Sequence, residues 1–296
     1  MRIGQFFKSM MDGGRVDIAR RYEILREAIS GTMSNFHMAR DRQTNEIVGL
    51  KVLDKQKTAA FEARFRGLKK PTEGAIAAAI THPRVVKTHT YGLTTNNEQF
   101  LVMEFLDGPG LNSLLIGRSA LLDGNRLILI RQAAEGLEAV HGAGFIHRDI
   151  CPRNFVCGPD ASSLTMIDFG LSVPAERQYL LPGNRTGTPN YMSPEVIRRR
   201  PTDHRLDIFA FGVSMYELFV FDLPWQRGTD GLAAMTHGLT PPSPIHRFYP
   251  NIHPTLESAI LKCIEADPEN RFSSMTDFLR AIRSVEHEDV EFESSI

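Results

Sequence analysis

The hydrophobic pattern of this 296-residue chain changes character after about the first hundred residues. Before residue 105, strand-like runs at 47–53 and 100–104 flank an Ala-rich helical run at 73–80. After residue 111 the periodicity is helical, over 126–141, 207–219, 254–265 and 275–285. The pattern predicts a small sheet-rich part at 22–104 and a larger helical part at 105–285.

The two ends of the chain extend beyond these parts. Residues 1–21 are an extension whose apolar side chains recur at the spacing of one helical face, at Ile3, Phe6, Phe7, Met10 and Met11. We expect a short amphipathic helix that packs on the protein, with docking to a membrane surface or a partner as the alternative. Residues 286–296 are acidic and have little to bury, which predicts a disordered tail.

Composition argues against several classes of protein. A net charge of −1 and a pI near 6.8 give no general attraction to nucleic acid. No apolar run approaches the roughly 20 residues that span a bilayer. The cysteines, Cys151, Cys157 and Cys263, lack metal-site spacing, so reduced thiols are expected. We predict a cytoplasmic protein without a membrane span.

Polar residues that could take part in catalysis or metal binding lie in one stretch of the helical part. His147, Arg148 and Asp149 are followed by Asn154, five residues after Asp149, and by Asp168, fourteen residues further on. Asp168 follows an apolar run that is typical of a strand. The stretch combines an acid that can receive a hydroxyl proton with an amide and a second acid that can hold a divalent ion.

In this order and spacing the stretch resembles the catalytic loop and metal-binding motif of the protein kinases. The resemblance implies an α+β, bilobal protein-kinase-like fold with a sheet-rich N-lobe and a mainly helical C-lobe. It also implies that Asp149 orients and deprotonates the substrate hydroxyl. Asn154 and Asp168 would hold Mg²⁺ bridging the phosphates of ATP.

Other positions match the same family. Lys51 stands where the family has the lysine that pairs with the nucleotide phosphates, and Glu73, nine residues before His82, is its expected partner. Met103 would be the gatekeeper before a hinge that meets adenine. The nucleotide-binding residues that the resemblance implies are Ile29, Gly31, Phe36, Gly49, Lys51, Glu73, Met103, Glu104, Leu106 and Val156.

The resemblance continues downstream of the metal-binding motif. Residues 187–195 resemble the substrate-facing end of the activation segment, in a Gly-Thr-Pro form that goes with serine/threonine substrates. The resemblance further implies that Asp207 braces the catalytic-loop backbone and that Arg271 pairs with Glu195.

The glycine-rich loop departs from the family pattern. Its three glycine positions are occupied by Ile29, Gly31 and Ser34, with Phe36 where a small branched residue is usual. Glycines there let backbone amides approach phosphates, so their replacement predicts looser or reshaped nucleotide binding. Phe36 either stacks over adenine or plugs its pocket.

A second departure lies inside the catalytic loop. Cys151 occupies the place of a lysine that steadies the transferred phosphoryl group in serine/threonine kinases, and a neutral thiol cannot supply that charge. Arg153 is a candidate to supply it instead. Cys151 is itself either a reactive thiol or a plain unmodified cysteine.

A third departure concerns the packed column behind the 73–80 helix, formed here by Ala77, Thr88, His147 and Phe169. Two of its members are small or polar, which predicts weak packing of that helix, since each missing methylene forfeits about 0.8 kcal/mol of burial. We therefore expect that the Lys51–Glu73 pair is not always formed.

The sequence thus favours a Mg-ATP-dependent serine/threonine protein kinase that acts on protein substrates. A pseudokinase scaffold with weak or no catalysis is the alternative that Ile29, Ser34, Phe36 and Cys151 support. A small-molecule phosphotransferase of kinase-like fold is a third, which residues 187–195 and Arg271 disfavour.

Overall fold

A computed structural model describes residues 15–30, 33–182, 185–225 and 240–290, without the side chains of residues 27–30. The chain divides into two compact units after Asp107. The first contains α1 (Ile18–Arg21), β1 (Tyr22–Ser30), β2 (Ser34–Asp41), β3 (Ile47–Leu53), α2 (Lys55–Glu62), α3 (Glu73–Ala79), β4 (Thr88–Leu93) and β5 (Gln99–Glu104). The second contains α4 (Leu111–Ile116), α5 (Arg126–Gly142), β6 (Phe145–Ile146), β7 (Phe155–Cys157), β8 (Leu164–Met166), β9 (Val173–Pro174), α6 (Pro194–Ile197), α7 (Arg205–Val220), α8 (Pro254–Cys263) and α9 (Met275–Ala281). Short 3-10 turns lie at Ala63–Phe65, Ala120–Leu122, Pro152–Asn154, Arg177–Tyr179, Pro189–Tyr191, Ile245–Arg247 and Pro268–Asn270.

These elements confirm the predicted α+β fold, with a sheet-rich first part and a helical second part. The predicted strands and helices are present, and their ends differ from the predicted ones by a few residues. Within the described residues, no helix combines the length and the apolarity that crossing a membrane requires. The helix predicted from Ile3 to Met11 lies outside the described residues.

Antiparallel strands form the sheet of the first unit in the order β1-β2-β3-β5-β4. The register pairs Phe36 with Lys51 and Gly49 with Met103. Because side chains alternate along a strand, these four residues share one face of the sheet. The opposite face carries a buried apolar cluster, formed by Tyr22, Ala39, Val48, Leu50, Phe100 and Val102.

Helix α3 packs closely on this sheet. Its N-cap residue Thr72 accepts a hydrogen bond from the amide of Ala75. A Cβ atom added to Gly74 would lie 2.4 Å from Cβ of Tyr91 in β4, so the helix backbone lies almost against the strand. The small residue at position 74 thus lets α3 approach the sheet, while the weak packing predicted for the column of Ala77, Thr88, His147 and Phe169 stays a prediction.

Helix α7 is the centre of the second unit. Its residues from Leu206 to Phe219 are all buried, which requires neighbouring elements on every side. It packs against α5 and α8. A Cβ atom added to Gly212 would lie 2.5 Å from Cβ of Cys263, so glycine permits the close crossing of α7 and α8.

A buried ion pair ties the segment before α7 to the turn before α9. Arg271 donates to both carboxylate oxygens of Glu195 at 2.8 Å, and both side chains are buried. The guanidinium also donates to the backbone oxygens of Glu265 and Arg205. The predicted pairing of Arg271 with Glu195 is confirmed.

Arg271→Ala is expected to lower the free energy of unfolding by about 3–5 kcal/mol, because it leaves the Glu195 carboxylate buried without its partner. Urea denaturation followed by circular dichroism measures this. Arg280→Ala is the matched control, since Arg280 forms an exposed pair with Asp277 and should leave the midpoint unchanged. Equal midpoints for the two variants would contradict the role given to Arg271.

The segment after α9 returns to the second unit. Glu288 is buried and accepts hydrogen bonds from Arg126 Nη1 at 2.9 Å and from the amides of Gly124 and Leu127. The prediction of a disordered tail is therefore wrong for residues 286–290, because one of the acidic residues neutralises the buried Arg126. Residues 291–296 lie outside the described residues.

Candidate active site

The loop between β6 and β7 carries Asp149, and its backbone is held by Asp207. Asp207, fully buried in the first turn of α7, accepts the amides of His147 at 2.8 Å and Arg148 at 2.7 Å. Burial opposes ionisation of Asp207, but hydrogen bonding to His141 and Arg148 outweighs it and holds the pKa of this carboxyl below its usual value. The predicted bracing of this loop is confirmed.

Both carboxylate oxygens of Asp149 accept hydrogen bonds. Oδ1 accepts from the amide of Thr188 at 2.8 Å and from its hydroxyl at 2.7 Å. Oδ2 accepts from Asn154 Nδ2 at 3.2 Å, and the same Nδ2 donates to the Asp149 carbonyl at 2.6 Å. Contacts from two sides fix the orientation of the carboxylate, and Oδ2 keeps acceptor capacity for an incoming hydroxyl group.

Asn154 and Asp168 stand at adjoining ends of two paired strands. β7 pairs with β8 so that Phe155 lies opposite Met166, and the Asn154 carbonyl accepts the amide of Ile167 at 2.9 Å. Because Asn154 uses its side-chain NH₂ group on Asp149, its side-chain oxygen is directed elsewhere and is suited to ligate a cation. An amide oxygen and a carboxylate are a donor set that fits Mg²⁺.

Unusual backbone angles occur next to Asp149 and at Asp168 itself. Arg148 and Asp168 have φ values of 69° and 67°, in the left-handed region that residues other than glycine rarely adopt. Such conformations cost on the order of 1–3 kcal/mol each and cluster at functional sites. Gly187 has φ of 120°, and a Cβ atom there would lie 2.6 Å from the Arg148 carbonyl. Only glycine fits this position beside the loop.

In the first unit, Lys51 of β3 and Glu73 of α3 form a buried ion pair. Lys51 Nζ lies 2.6 Å from Glu73 Oε1, and the two side chains are 9% and 5% exposed. The structure thus has the pair closed, and the hypothesis that it is not always formed stays a prediction. Gly74, next to Glu73 in α3, lies close to Tyr91 of β4.

Phe36, Gly49 and Met103 are in contact on the face of the sheet that carries Lys51. A Cβ atom added to Gly49 would lie 2.9 Å from Phe36 Cζ and 3.0 Å from Met103 Cγ. The Phe36 ring therefore occupies the space that a side chain at position 49 would need. The large residue at 36 and the absent side chain at 49 are complementary in shape.

Three further residues predicted to bind nucleotide lie near strand ends. Glu104, the last residue of β5, turns its carboxylate back to accept the amide of Lys87 at 2.7 Å. Leu106 follows β5 and is half-buried. Val156 lies in β7 of the second unit, is half-buried, and bridges to Gly110.

The predicted glycine-rich loop is described in part. The backbone of Ile29 pairs with Phe36 across β1 and β2, while the Ile29 side chain lies outside the described residues. Gly31 also lies outside them. Ser34 begins β2 opposite Leu53 of β3.

Cys151 is fully buried and not disulfide-bonded. Burial, reinforced by the nearby Asp149 carboxylate, raises the pKa of the Cys151 thiol to about 11. A thiol of this kind stays protonated at neutral pH and is a poor nucleophile. The structure supports a plain neutral cysteine, because burial and the Asp149 carboxylate outweigh the opposite effects of Thr188 and Arg153 on the thiol pKa.

Thr188 is the residue whose role the sequence did not reveal. It contacts Asp149 through both its amide and its hydroxyl, from a position 39 residues further along the chain. Thr188 is one of the nine residues of the 187–195 motif. Sequence spacing does not predict its contact with a residue 39 positions earlier in the chain. The neighbouring Gly187 was the one hint in the sequence, because glycine is favoured where φ is positive. Its φ of 120° is known only from the folded chain.

Comparison with known proteins points to one family. The sequence model of the protein kinase domain matches residues 22–282. Serine/threonine-protein kinase pkn3 of Myxococcus xanthus is 29% identical over 287 residues, covering 92% of this chain and 51% of that protein. A probable serine/threonine-protein kinase of Clostridium acetobutylicum is 30% identical over 275 residues, covering 91% and 40%. Serine/threonine-protein kinase PknB of Mycolicibacterium smegmatis is 29% identical over 269 residues, covering 87% and 41%. The chain spans 40–51% of the length of these three relatives.

Proposed function

We propose that this chain, which belongs to the protein kinase domain family, is a serine/threonine protein kinase that transfers the γ-phosphoryl group of ATP to protein hydroxyl groups. The observation that carries the proposal is the Asp149 carboxylate, held by Thr188 on one oxygen and by Asn154 on the other. A carboxylate fixed in this way is suited to accept a hydroxyl proton. The names of the three relatives agree with serine/threonine substrates.

In the proposed reaction, Asp149 Oδ2 accepts the proton of the substrate hydroxyl as the hydroxyl oxygen forms a bond to the γ-phosphorus. The bond from that phosphorus to the β-phosphate oxygen breaks, and ADP is the second product. Lys51, paired with Glu73, binds phosphate oxygens of the nucleotide. Asp149 thus acts on the substrate hydroxyl and Lys51 on the nucleotide phosphates.

Asn154 and Asp168 are the proposed ligands of Mg²⁺. Their side-chain oxygens fit a hard cation better than a transition metal, which prefers nitrogen and sulfur. When bound, the metal offsets the negative charge of the phosphates. Asn154 cannot swing away easily, because its Nδ2 donates to Asp149 twice.

We also propose the domain limits and the location of the chain. The N-lobe would comprise residues 22–104 and the C-lobe residues 105–285, and the protein would act in the cytoplasm. Cys151, Cys157 and Cys263 are free and buried, which suits a reducing compartment.

No observation in the described residues favours the pseudokinase scaffold. Phe36, which supported it, is accommodated by the missing side chain of Gly49. Cys151, which also supported it, is a neutral neighbour of Thr188 that leaves the contacts of Asp149 intact. Phe36 and Cys151 thus leave the Lys51–Glu73 pair and the contacts of Asp149 in place.

Gly49→Ala is expected to weaken ATP binding by about 1–3 kcal/mol, the usual cost of overpacking, because the added methyl group displaces the Phe36 ring. In the double variant Phe36→Val, Gly49→Ala, the smaller side chain at 36 makes room for the methyl group, and affinity should recover. Calorimetric titration with Mg-ATP measures all variants. Additive losses in the double variant would show that the contact does not shape the nucleotide site.

The proposed function is tested by incubating the purified chain with Mg-ATP and generic protein substrates, followed by phosphoamino-acid analysis. We expect phosphoserine and phosphothreonine. Phosphotyrosine alone would overturn the substrate class. A chain that is stabilised by ATP yet phosphorylates nothing would favour the scaffold instead.

A further inference from the structure

Consecutive arginines follow α6 on the surface of the second unit. They are Arg198, Arg199 and Arg200, and we call them the basic patch. All of them are exposed, and within the described residues none of their guanidinium groups takes part in a hydrogen bond or an ion pair. Successive Cα atoms are about 3.8 Å apart, so the positive charges lie close together. The chain as a whole has a net charge of −1, and the excess of positive charge is therefore local.

The backbone of the basic patch is anchored to α6. The amides of Arg198 and Arg200 donate to the carbonyls of Pro194 at 2.9 Å and of Glu195 at 2.8 Å. Arg199 has φ of 54°, in the left-handed conformation with which many helices end and which glycine adopts most readily. An arginine at this position is less favourable than glycine, and it keeps the row of guanidinium groups unbroken.

The carboxylates nearest to the patch in the sequence are bound by other arginines. Residues 185–205 contain two acidic residues, Glu195 and Asp203. Glu195 forms the buried pair with Arg271. Asp203 Oδ2 accepts from Arg205 Nη2 at 2.9 Å and from its Nε at 3.0 Å. Neither of these carboxylates is therefore left to neutralise the basic patch.

The basic patch adjoins the segment that resembles the substrate-facing end of the activation segment. Residues 187–195 end within α6, and the patch follows that helix directly. Thr188 of the same segment contacts Asp149. Beyond the patch, the Thr202 hydroxyl lies 3.5 Å from the carbonyl of Leu180, to which it donates a hydrogen bond. The chain on both sides of the patch is thus tied to the region in which a substrate would bind.

The surroundings of the patch favour a protein chain over other polyanions. Sites for single-stranded nucleic acid present aromatic rings on which bases stack, whereas Tyr191, the one Phe, Tyr or Trp of residues 185–205, is buried. Basic surfaces that bind membranes insert apolar side chains, and Val196 and Ile197 beside the patch are buried. Carboxylate side chains match guanidinium groups, which bind them through two parallel hydrogen bonds.

We propose that the basic patch binds acidic residues that flank the phosphorylated serine or threonine of the protein substrate. The inference deepens the proposed function and rests on it. The patch does not touch the reacting atoms, so it selects substrates by binding and affects KM for the substrate while kcat stays the same. Because the arginines are exposed, salt weakens the attraction.

The test compares two serine peptides that carry a tract of glutamates or a tract of glutamines on each side of the serine. For the wild-type chain we expect KM for the glutamate peptide to be about 10-fold lower, as several exposed ion pairs of modest strength would give. The triple variant Arg198→Gln, Arg199→Gln, Arg200→Gln should bring the two KM values together. Its kcat, its KM for ATP and its melting temperature should match the wild type. Added salt should reduce the preference of the wild type.

The matched control is the triple variant Arg247→Gln, Arg280→Gln, Arg283→Gln, which removes the same charge from exposed positions of the same unit. It should keep the preference for glutamate. Equal KM values in an active wild type, or a preference that persists in the patch variant, would overturn the inference and leave the proposed function standing.

Fluorescence anisotropy of the labelled peptides measures binding without catalysis. If the wild type transfers no phosphate yet binds the glutamate peptide more tightly, and the patch variant does not, then the proposed function fails and the acidic-chain surface stands. If a single-stranded oligonucleotide of equal negative charge binds more tightly than the glutamate peptide, and the patch variant loses that binding, the patch is a nucleic-acid site and the inference is wrong.

Discussion

Asp149→Asn is expected to lower the turnover number by about 100-fold or more, the scale for losing a positioned general base. Asparagine matches the shape of aspartate and can still accept from Thr188, so the loop should stay folded. It cannot accept a proton from a substrate hydroxyl. The loss should therefore appear in kcat, with KM for ATP nearly unchanged, when initial rates are measured over a range of ATP concentrations.

The control for this variant is Asp160→Asn, at an exposed aspartate in the turn between β7 and β8. It removes the same charge from the same unit without touching the site, and wild-type turnover is expected. If Asp149→Asn kept more than about a tenth of the wild-type kcat, the role of Asp149 as base would be wrong.

Lys51→Met should reduce turnover comparably, by about 100-fold, because it removes the charge that binds the nucleotide phosphates. It should also destabilise the first unit, since it removes the positive member of the buried ion pair with Glu73. Two effects of one substitution must therefore be separated. Turnover and the thermal midpoint should be measured on the same preparations.

The double variant Lys51→Met, Glu73→Gln separates them. Replacing both members of the buried pair by neutral side chains removes the cost of burying one charge of the pair, so the thermal midpoint should rise again while turnover stays low. Lys69→Met, at an exposed lysine of the same unit, should change neither quantity. Recovery of turnover together with stability would mean that Lys51 has a structural role alone.

The elements of the fold could be predicted because their apolar residues recur at the periods of strands and helices. The run at 47–53 forms β3, and the predicted helix at 207–219 lies within α7. The packing of α3 could not be predicted in the same way. Counting methylenes predicted weak packing of this helix, and it gave no sign that Gly74 allows the helix backbone to lie directly on Tyr91. Distances between backbones are a property of the folded chain.

The candidate site shows a similar division. The acid, the amide and the metal-binding acid could be identified from residue type and spacing, because their chemistry is local to one stretch. Thr188 could not, since its contact with Asp149 joins distant parts of the chain. Glu288 was missed for a related reason. An acidic segment is expected to be disordered, and its sequence does not show that Glu288 pairs with the buried Arg126, which is distant along the chain.

The most direct measurement of the central claim is the transfer of label from ATP to a protein substrate by the full chain with Mg²⁺. Label at the γ-phosphate should appear on serine and threonine, label at the α-phosphate should not, and Asp149→Asn should reduce the signal about 100-fold or more. Transfer no greater than that of Asp149→Asn, together with no thermal stabilisation by Mg-ATP, would contradict the assignment of this chain as a protein kinase.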